Sequence, residues 1–198
     1  MGEENDYLAR YEAMKETVNR VAWDGEWYAR ATMDDGRFLG VKREPMAKIW
    51  LNAQTWAVLS GMAPAQRAHQ AMDSVRRYLN TPLGIKKIDP AMADYPTPED
   101  PLTYYNKGCG ENGSVFCHAN AWAVIAECLL AGRTRLGILQ PASSHERPGQ
   151  SGRMALQSGA YVYSSNIFGP ESDKFGLANV SWLTGTAAWM YVALRSTY

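Results

Sequence analysis

The feature that most constrains the fold is the stretch NKGCGENGSVFCHANAWAVIAECLLAG, residues 106–132. Its first half is polar and rich in glycine. Its second half, predicted as a helix over 115–131, is apolar on nearly every face. A helix that is hydrophobic all round is buried on all sides, so other elements have to surround it. Ser114 is predicted to cap this helix, which would place His118 at its mouth.

Helical periodicity recurs on both sides of that stretch. Apolar residues at steps of three and four predict further helices over 3–22, 49–62, 64–80 and 182–195. Asp-Gly turns around WYARATM and RFLGV predict a small β-hairpin within 23–42. The helices alternate with short and long connections, and the longest connection is 81–113. A barrel of paired inner and outer helices fits this pattern better than a simple bundle.

Charge, hydropathy and cysteine content exclude several function classes. The 20 Lys and Arg residues balance the 20 Asp and Glu residues, so no basic face predicts nucleic-acid binding. No stretch is long and apolar enough to span a bilayer, and the charged N-terminus resembles neither a signal peptide nor a transit peptide. The three cysteines do not predict a disulfide framework, and the histidines lack metal-ligand spacing. We therefore expect a cytoplasmic protein without a metal site.

Two of the predicted helix starts have features of an anion site. His118 lies at the first. At the second, Thr184 can cap the last helix, Gly185 lets a ligand come close, and Thr186 adds a hydroxyl. The N–H groups and positive dipole end of a helix N-terminus favour phosphate, and a histidine can add positive charge. Taken alone, each motif is more often a simple cap or a packing histidine, so both interpretations stay open.

Two further motifs also leave alternatives open. Asp24, Glu26 and Arg30 lie among aromatic residues in WDGEWYARA. They could form a sugar or acid–base site, or a salt-bridged helix end packed by aromatic rings, which is the simpler interpretation. The segment YVYSSN, residues 161–166, could line a sugar pocket or form a strand with alternating burial.

Taken in order, five blocks of the sequence resemble the C-terminal part of glycoside hydrolase family 94, the family of cellobiose, laminaribiose and chitobiose phosphorylases. The blocks are AWDGEWYARA, NAQTWAVLSG, YNKGCGENGSVFCHANAWAVIAECLL, YVYSSNIFGPESDKFG and NVSWLTGTAAWMY. The resemblance covers nearly the whole chain except 131–159. It implies a mainly α fold in which residues 1–198 form the C-terminal part of an incomplete (α/α)6 barrel, with a small β-hairpin insertion.

The resemblance also implies an activity. Such enzymes cleave a β-linked disaccharide or oligosaccharide with inorganic phosphate, inverting the anomeric centre to give an α-sugar 1-phosphate and a free sugar. Phosphate is then a co-substrate, and no cofactor is needed. Since phosphate is itself the nucleophile, the site holds and orients an anion instead of activating water. A homodimer is expected for the full-length enzyme.

The same resemblance assigns roles to individual residues. His118 and Thr184 would bind phosphate through their side chains, and Gly185 through its backbone. The residues expected at the sugar subsites are Tyr105, Glu111 and Ser165. Ser165 stands where many relatives have glutamine, so the preference for the donor sugar is left open.

Two departures from the family pattern shape the remaining expectations. The family's general acid, an aspartate in a Trp-Asn-Asp motif, is expected upstream of this sequence, so the chain alone is predicted to be inactive. Residues 131–159 are rich in Arg, Gly and Ser and hold no aromatic residue, where relatives carry an acidic, aromatic helix. We interpret that segment as out of frame or disordered. The alternative functions are an inverting glycoside hydrolase on the same barrel and a non-catalytic carbohydrate-binding helical domain.

Overall fold

The computed structural model describes residues 2–92, 105–131 and 163–197. The helices of this part of the chain are α1 (Gly2–Val21), α2 (Leu51–Leu59), α3 (Ala65–Tyr78), α4 (Cys117–Ala131) and α5 (Thr186–Thr197). The strands are β1 (Ala31–Thr32), β2 (Phe38–Leu39), β3 (Ile49–Trp50), β4 (Asn80–Thr81), β5 (Gly84–Ile85), β6 (Ile88–Asp89), β7 (Val115–Phe116), β8 (Ser164–Ile167) and β9 (Ala178–Ser181). The anomalous segment predicted at 131–159 lies, apart from its first residue, outside the described residues.

The strands form small antiparallel sheets between the helices. Strands β1 and β2 pair as a hairpin, which confirms the hairpin predicted within 23–42. Strand β3 pairs with β6, and β4 pairs with β5. The largest sheet has the order β7-β8-β9, with Phe116 opposite Asn166. This sheet leads directly into α4, so it determines where that helix begins.

The first three helices lie close to where periodicity predicts them. Helix α1 covers the segment predicted over 3–22. Helix α2 begins at Leu51, two residues after the predicted start, because Ile49 and Trp50 pair with β6. Pro64 stands directly before α3 with φ −58°, a position where its missing N–H costs no helical hydrogen bond.

The start of α4 differs from the prediction. Val115 and Phe116 are extended because they pair with Ile167 and Asn166 of β8, so the helix begins only at Cys117. Ser114 is therefore not the cap, and that prediction is wrong. Its hydroxyl instead donates a hydrogen bond to the carbonyl of Gly110 at 2.6 Å. His118 becomes the second residue of the helix and stays at its mouth.

Helix α4 lies in the core. Helices α2, α3 and α5 all pack against it. Ala119, Ala123 and Ala126 are fully buried, and their small side chains let the neighbouring helices come close. The main apolar cluster joins these alanines to residues of α2 and α3, among them Leu51 and Met72. The predicted burial is confirmed for most of this helix, whereas Leu129 near its C-terminal end is 58% exposed.

Helix α5 is less buried than its apolar sequence suggests. It begins at Thr186, four residues after the predicted start, and Trp182 before it has a left-handed φ of +73° and is 76% exposed. Ala193 packs against Val124 of α4. Tyr191, on another face, is 61% exposed. Only one side of α5 therefore contributes to the core of the described residues.

The described residues combine helices with small sheets. The mainly helical class predicted from the sequence is confirmed in this coarser form, whereas the complete (α/α)6 barrel stays a prediction. Within these residues, no helix combines the length and the apolar character that a membrane crossing requires.

Gln54 ties α2 to the segment that precedes the hairpin. Its side chain is fully buried. Its Oε1 accepts a hydrogen bond from the backbone N–H of Tyr28 at 2.8 Å, and its Nε2 donates to the carbonyls of Tyr28 and Trp50 at 2.9 and 3.0 Å. A buried amide that satisfies three backbone groups is a strong local constraint.

Replacing Gln54 with alanine is expected to lower the free energy of unfolding by roughly 2–4 kcal/mol, since it leaves buried backbone groups unpaired and creates a cavity. Urea unfolding followed by circular dichroism measures this loss. Gln70→Ala is the matched control, because Gln70 of α3 makes a single exposed hydrogen bond to the Gly25 carbonyl. Equal losses in the two variants would contradict this role of Gln54.

Candidate functional site

His118 and Gly185, which are far apart in the sequence, are in contact. A Cβ atom placed on Gly185 would lie 2.9 Å from His118 Cε1 and 3.2 Å from His118 Nδ1. The backbone of Gly185 therefore lies directly against the imidazole ring, and a larger residue would displace that ring. The contact joins the first turn of α4 to the residue immediately before α5.

Two tryptophans lie against the imidazole, and a third packs against both of them. The His118 ring lies 4.5 Å from Trp122 and 6.2 Å from Trp189, measured between ring centroids. Trp56 of α2 packs edge-on against both indoles, at 5.3 and 6.3 Å. We call Trp56, Trp122 and Trp189 the tryptophan cluster. Sequence reasoning did not predict it, although Trp122 and Trp189 follow His118 and Gly185 at the four-residue spacing of one helix face.

The environment of His118 favours its neutral form. Burial lowers the pKa of the imidazole below its ordinary value of 6.5, and the positive charge of Lys87 lowers this pKa further. The ring's Nε2 is buried and has no hydrogen-bond partner among the described residues. A buried polar atom without a partner costs free energy. A ligand at the helix mouth could satisfy such an atom.

Thr184 lies two residues before the first residue of α5. Its hydroxyl accepts a hydrogen bond from the backbone N–H of Thr186 at 3.2 Å and lies 2.6 Å from the Thr186 hydroxyl. The Gly185 carbonyl accepts the first helical bond, from the Trp189 N–H, at 3.1 Å. Gly185 therefore occupies the N-cap position, and the prediction that Thr184 is the cap is wrong by one residue. Thr184 is linked to the contact between His118 and Gly185 through its neighbour in the chain.

The candidate sugar residues Tyr105 and Glu111 belong to one glycine-rich loop. The Tyr105 ring covers Gly110, where a Cβ atom would come within 2.8 Å of it, and 42% of Tyr105 is exposed. The carboxylate of Glu111 forms an ion pair with the ammonium of Lys87. Asn112 holds the loop in place: its Oδ1 accepts from the Met92 N–H at 2.6 Å, and its Nδ2 donates to the Tyr105 carbonyl at 2.8 Å.

Ser165 lies on β8, next to the strand that leads into α4. It is half-buried, whereas Ser164 and Asn166 on either side are buried. Alternating side chains of a strand face opposite ways, so Ser165 faces away from Ser164, whose hydroxyl lies 3.8 Å from the thiol of Cys117. The strand interpretation is confirmed for 164–166. Residues 161 and 162 lie outside the described residues, and the sugar-lining role stays a prediction.

The acidic residues of WDGEWYARA are engaged with their neighbours. Asp24 accepts a hydrogen bond from the backbone N–H of Lys42 at 2.5 Å, and Glu26 forms a 3.0 Å ion pair with the Lys42 side chain. The Arg30 guanidinium lies 5.5 Å from the centroid of the Trp50 ring. These contacts match the simpler interpretation, a salt-bridged segment packed by aromatic rings.

Two cavities lie elsewhere in the described residues. One of about 330 Å³ borders Glu26, Lys42 and Asp89. The other, of about 530 Å³, lies between α1, α2 and the indole of Trp122. In this part of the chain, neither of the two is lined by His118 or Gly185. Within it, no group of three His, Cys, Asp or Glu side chains is placed to hold a metal ion.

Comparison with known proteins shows the family. The sequence model of the glycosyl hydrolase 94 superfamily catalytic domain matches residues 2–197, and the chain belongs to this family. The resemblance inferred from the sequence blocks is confirmed.

The curated relatives that match this chain include several phosphorylases. The chain is 35% identical to a solabiose phosphorylase from Paenibacillus borealis over 183 residues, which are 91% of this chain and 23% of that protein. It is 34% identical to an N,N'-diacetylchitobiose phosphorylase from Vibrio furnissii over 193 residues, 94% of this chain and 24% of that protein. A cellobionic acid phosphorylase from Neurospora crassa is 28% identical over 194 residues, 91% and 24% of the two chains. The chain therefore spans about a quarter of the length of these relatives.

The lowered pKa of His118 predicts how stability depends on pH. The unfolded chain takes up a proton at His118 more readily than the folded chain, so the free energy of unfolding should fall as pH drops from about 7 to about 5.5. Urea unfolding at several pH values measures this fall. The variant His118→Gln should flatten the curve in this range; a variant curve as steep as that of the original chain would contradict the assignment.

Proposed function

We propose that this chain is part of the catalytic domain of an inverting phosphorylase, in which His118, Thr184 and Gly185 bind the attacking phosphate. The enzyme would cleave a β-linked disaccharide or oligosaccharide to an α-sugar 1-phosphate and a free sugar. The observation that carries the proposal is the contact of the Gly185 backbone with the His118 ring at the mouths of two helices. Family membership and the phosphorylase names of the relatives support it.

The chemistry of the two helix mouths suits an anion. The N–H groups of the first turn of a helix have no partner within the helix, and its dipole favours negative charge. Gly185 has no side chain to block approach to the backbone of α5. The buried Nε2 of His118 lacks a partner among the described residues and would gain one from a phosphate oxygen. Thr184 would add its hydroxyl.

In this proposal phosphate replaces the base of an ordinary glycosidase. An inverting hydrolase needs one carboxylate to activate water and a second group to protonate the leaving oxygen. A phosphorylase needs only the second of these, because phosphate attacks directly. The residues of this chain then bind and orient the nucleophile. The proton donor would be an aspartate that this chain does not contain.

The glycine-rich loop would border the sugar. Tyr105 offers an exposed ring face of the kind that stacks on sugars. The Glu111 carboxylate would accept hydrogen bonds from sugar hydroxyls. Ser165 would lie at the same subsites, on the strand beside the mouth of α4. The short connection from this loop through β7 to His118 supports a sugar subsite next to the phosphate.

The packing order supports the barrel as a proposal. Helix α4 contacts both α2 and α5, and α3 packs against both α2 and α4. Inner helices of an (α/α)6 barrel contact one another in this way, with their partners outside. Residues 1–198 would supply the C-terminal part of that barrel, and the complete enzyme would form a homodimer.

Activity of the complete gene product tests the proposed reaction. Cellobiose or laminaribiose incubated with phosphate should yield a sugar 1-phosphate, and no product should form without phosphate. The reading frame upstream should encode a Trp-Asn-Asp motif, and the 198-residue chain alone should show no turnover because the proton donor is absent. Free glucose formed regardless of phosphate would instead indicate a hydrolase. Sugar binding without either product would indicate a carbohydrate-binding domain.

Phosphate binding to the 198-residue chain tests the site itself. A phosphate dianion beside His118 stabilises the imidazolium, so inorganic phosphate should raise the pKa of His118 in an NMR titration of its ring protons. Chloride at equal ionic strength is the control and should leave the pKa unchanged. Gly185→Ala should abolish the response, because its methyl group would fill the space against the ring. A phosphate response that persists in Gly185→Ala would place the anion elsewhere.

A further inference from the structure

Lys87 is a buried cation between the two parts of the candidate site. Its side chain is only 10% exposed, and its Nζ forms an ion pair with the carboxylate of Glu111. The same ammonium lies 4.4 Å from the centroid of the Phe116 ring, two residues before His118. The sequence predicted no role for Lys87. Lys86 and Lys87 are adjacent in the long connection 81–113, and no local pattern distinguishes one of them as a site residue.

Backbone contacts fix Lys87 to the mouth of α4. Its N–H donates to the Ser114 carbonyl at 2.9 Å. Asn120, in the first turn of α4, accepts from the N–H of Ile85 at 2.8 Å and donates to the Ile85 carbonyl at 2.9 Å. The segment that carries Lys87 is thus held to the helix that carries His118.

Lys87 provides the positive charge near His118. The sequences of α2 and of β7 and β8 contain no charged residue. The carboxylate of Glu127 on α4 is paired with Arg76 at 2.9 Å. Arg195 of α5 lies in the last turn of that helix, away from its mouth. Burial and the charge of Lys87 lower the pKa of His118, which favours the neutral imidazole.

The neighbouring Lys86 differs from Lys87 in the number of carboxylates that compensate its charge. Lys86 is equally buried, but its ammonium lies 2.5 Å from carboxylate oxygens of both Asp89 and Glu171, so two negative charges compensate it. The carboxylate that the structure pairs with Lys87 is that of Glu111. A sugar hydroxyl that donates to Glu111 would share that carboxylate with the lysine.

We propose that Lys87 is a positioning residue of the candidate site, whose ammonium holds the Glu111 carboxylate at the sugar subsite and supplies a fixed positive charge that favours phosphate beside His118. This inference rests on the proposed function. In this proposal, Glu111 at the sugar subsite and His118 at the phosphate site depend on one another electrostatically, because both interact with Lys87.

The test is the dissociation constant for inorganic phosphate, measured by calorimetry on the 198-residue chain at pH 8, where His118 is neutral in every variant. Lys87→Met should weaken binding by roughly threefold to tenfold, the effect of one partly screened charge at several ångströms. Lys87→Arg keeps the charge and should restore most of the affinity. Glu111→Gln should strengthen binding, because a negative charge beside the lysine is removed. The two effects should be non-additive in the double variant.

A spectroscopic readout separates this role from a general loss of packing. The pKa of His118 should rise in Lys87→Met and stay unchanged in Lys87→Arg. The matched control is Lys174→Met, since Lys174 also lies over a phenylalanine ring, at 6.0 Å from the Phe168 centroid, and does not affect His118. If Lys87→Met fails to fold, Lys87→Arg and Glu111→Gln carry the test.

The outcomes distinguish this inference from the proposed function. Phosphate binding that is unchanged in Lys87→Met, or in Glu111→Gln, overturns the role of Lys87 while leaving the phosphate site intact. An original chain that binds no phosphate, with a His118 pKa that phosphate does not move, overturns the proposed function and the role of Lys87 with it.

Discussion

The burial of α4 is the constraint on which the rest of the structure depends. A helix that is apolar on nearly every face has to be covered, and α2, α3 and α5 cover most of it. Its alanines allow close approach, so the mouth of α4 meets the residue before α5. That approach is possible because Gly185 has no side chain, and the backbone rests on the His118 ring. The candidate site is therefore a consequence of how the core is packed.

The buried polar groups around this core differ in whether they have hydrogen-bond partners among the described residues. Asn112, Asn120 and Gln54 are buried, and each satisfies several backbone groups. By contrast, His118 Nε2 and the indole nitrogen of Trp122 are buried without hydrogen-bond partners among the described residues. Folding alone favours pairing such atoms. His118 lies at the mouth of α4 and Trp122 one turn further along the same helix. In the proposed function, a bound phosphate would provide the missing partner of the histidine nitrogen.

Membership of family 94 gives this arrangement a chemical context. Phosphate is a nucleophile that needs no activating base. In a phosphorylase, one part of the chain can therefore bind the anion while another part protonates the leaving oxygen. The described residues suit the first task. In the proposed site, Lys87 pairs with Glu111 near the mouth of α4 and would let sugar and phosphate influence each other's binding.

The sequence by itself determined the helices, the hairpin and the family, because apolar periodicity, Asp-Gly turns and ordered motif blocks are local properties. It also indicated His118, Thr184 and Gly185 as a set, through resemblance. Only the tertiary structure decided that α4 begins at Cys117 and not after a Ser114 cap, since β7 pairs with a strand that follows much later in the chain. The exposure of α5, the tryptophan cluster and the position of Lys87 were decided in the same way. Each depends on contacts between residues distant in sequence, which local periodicity does not encode.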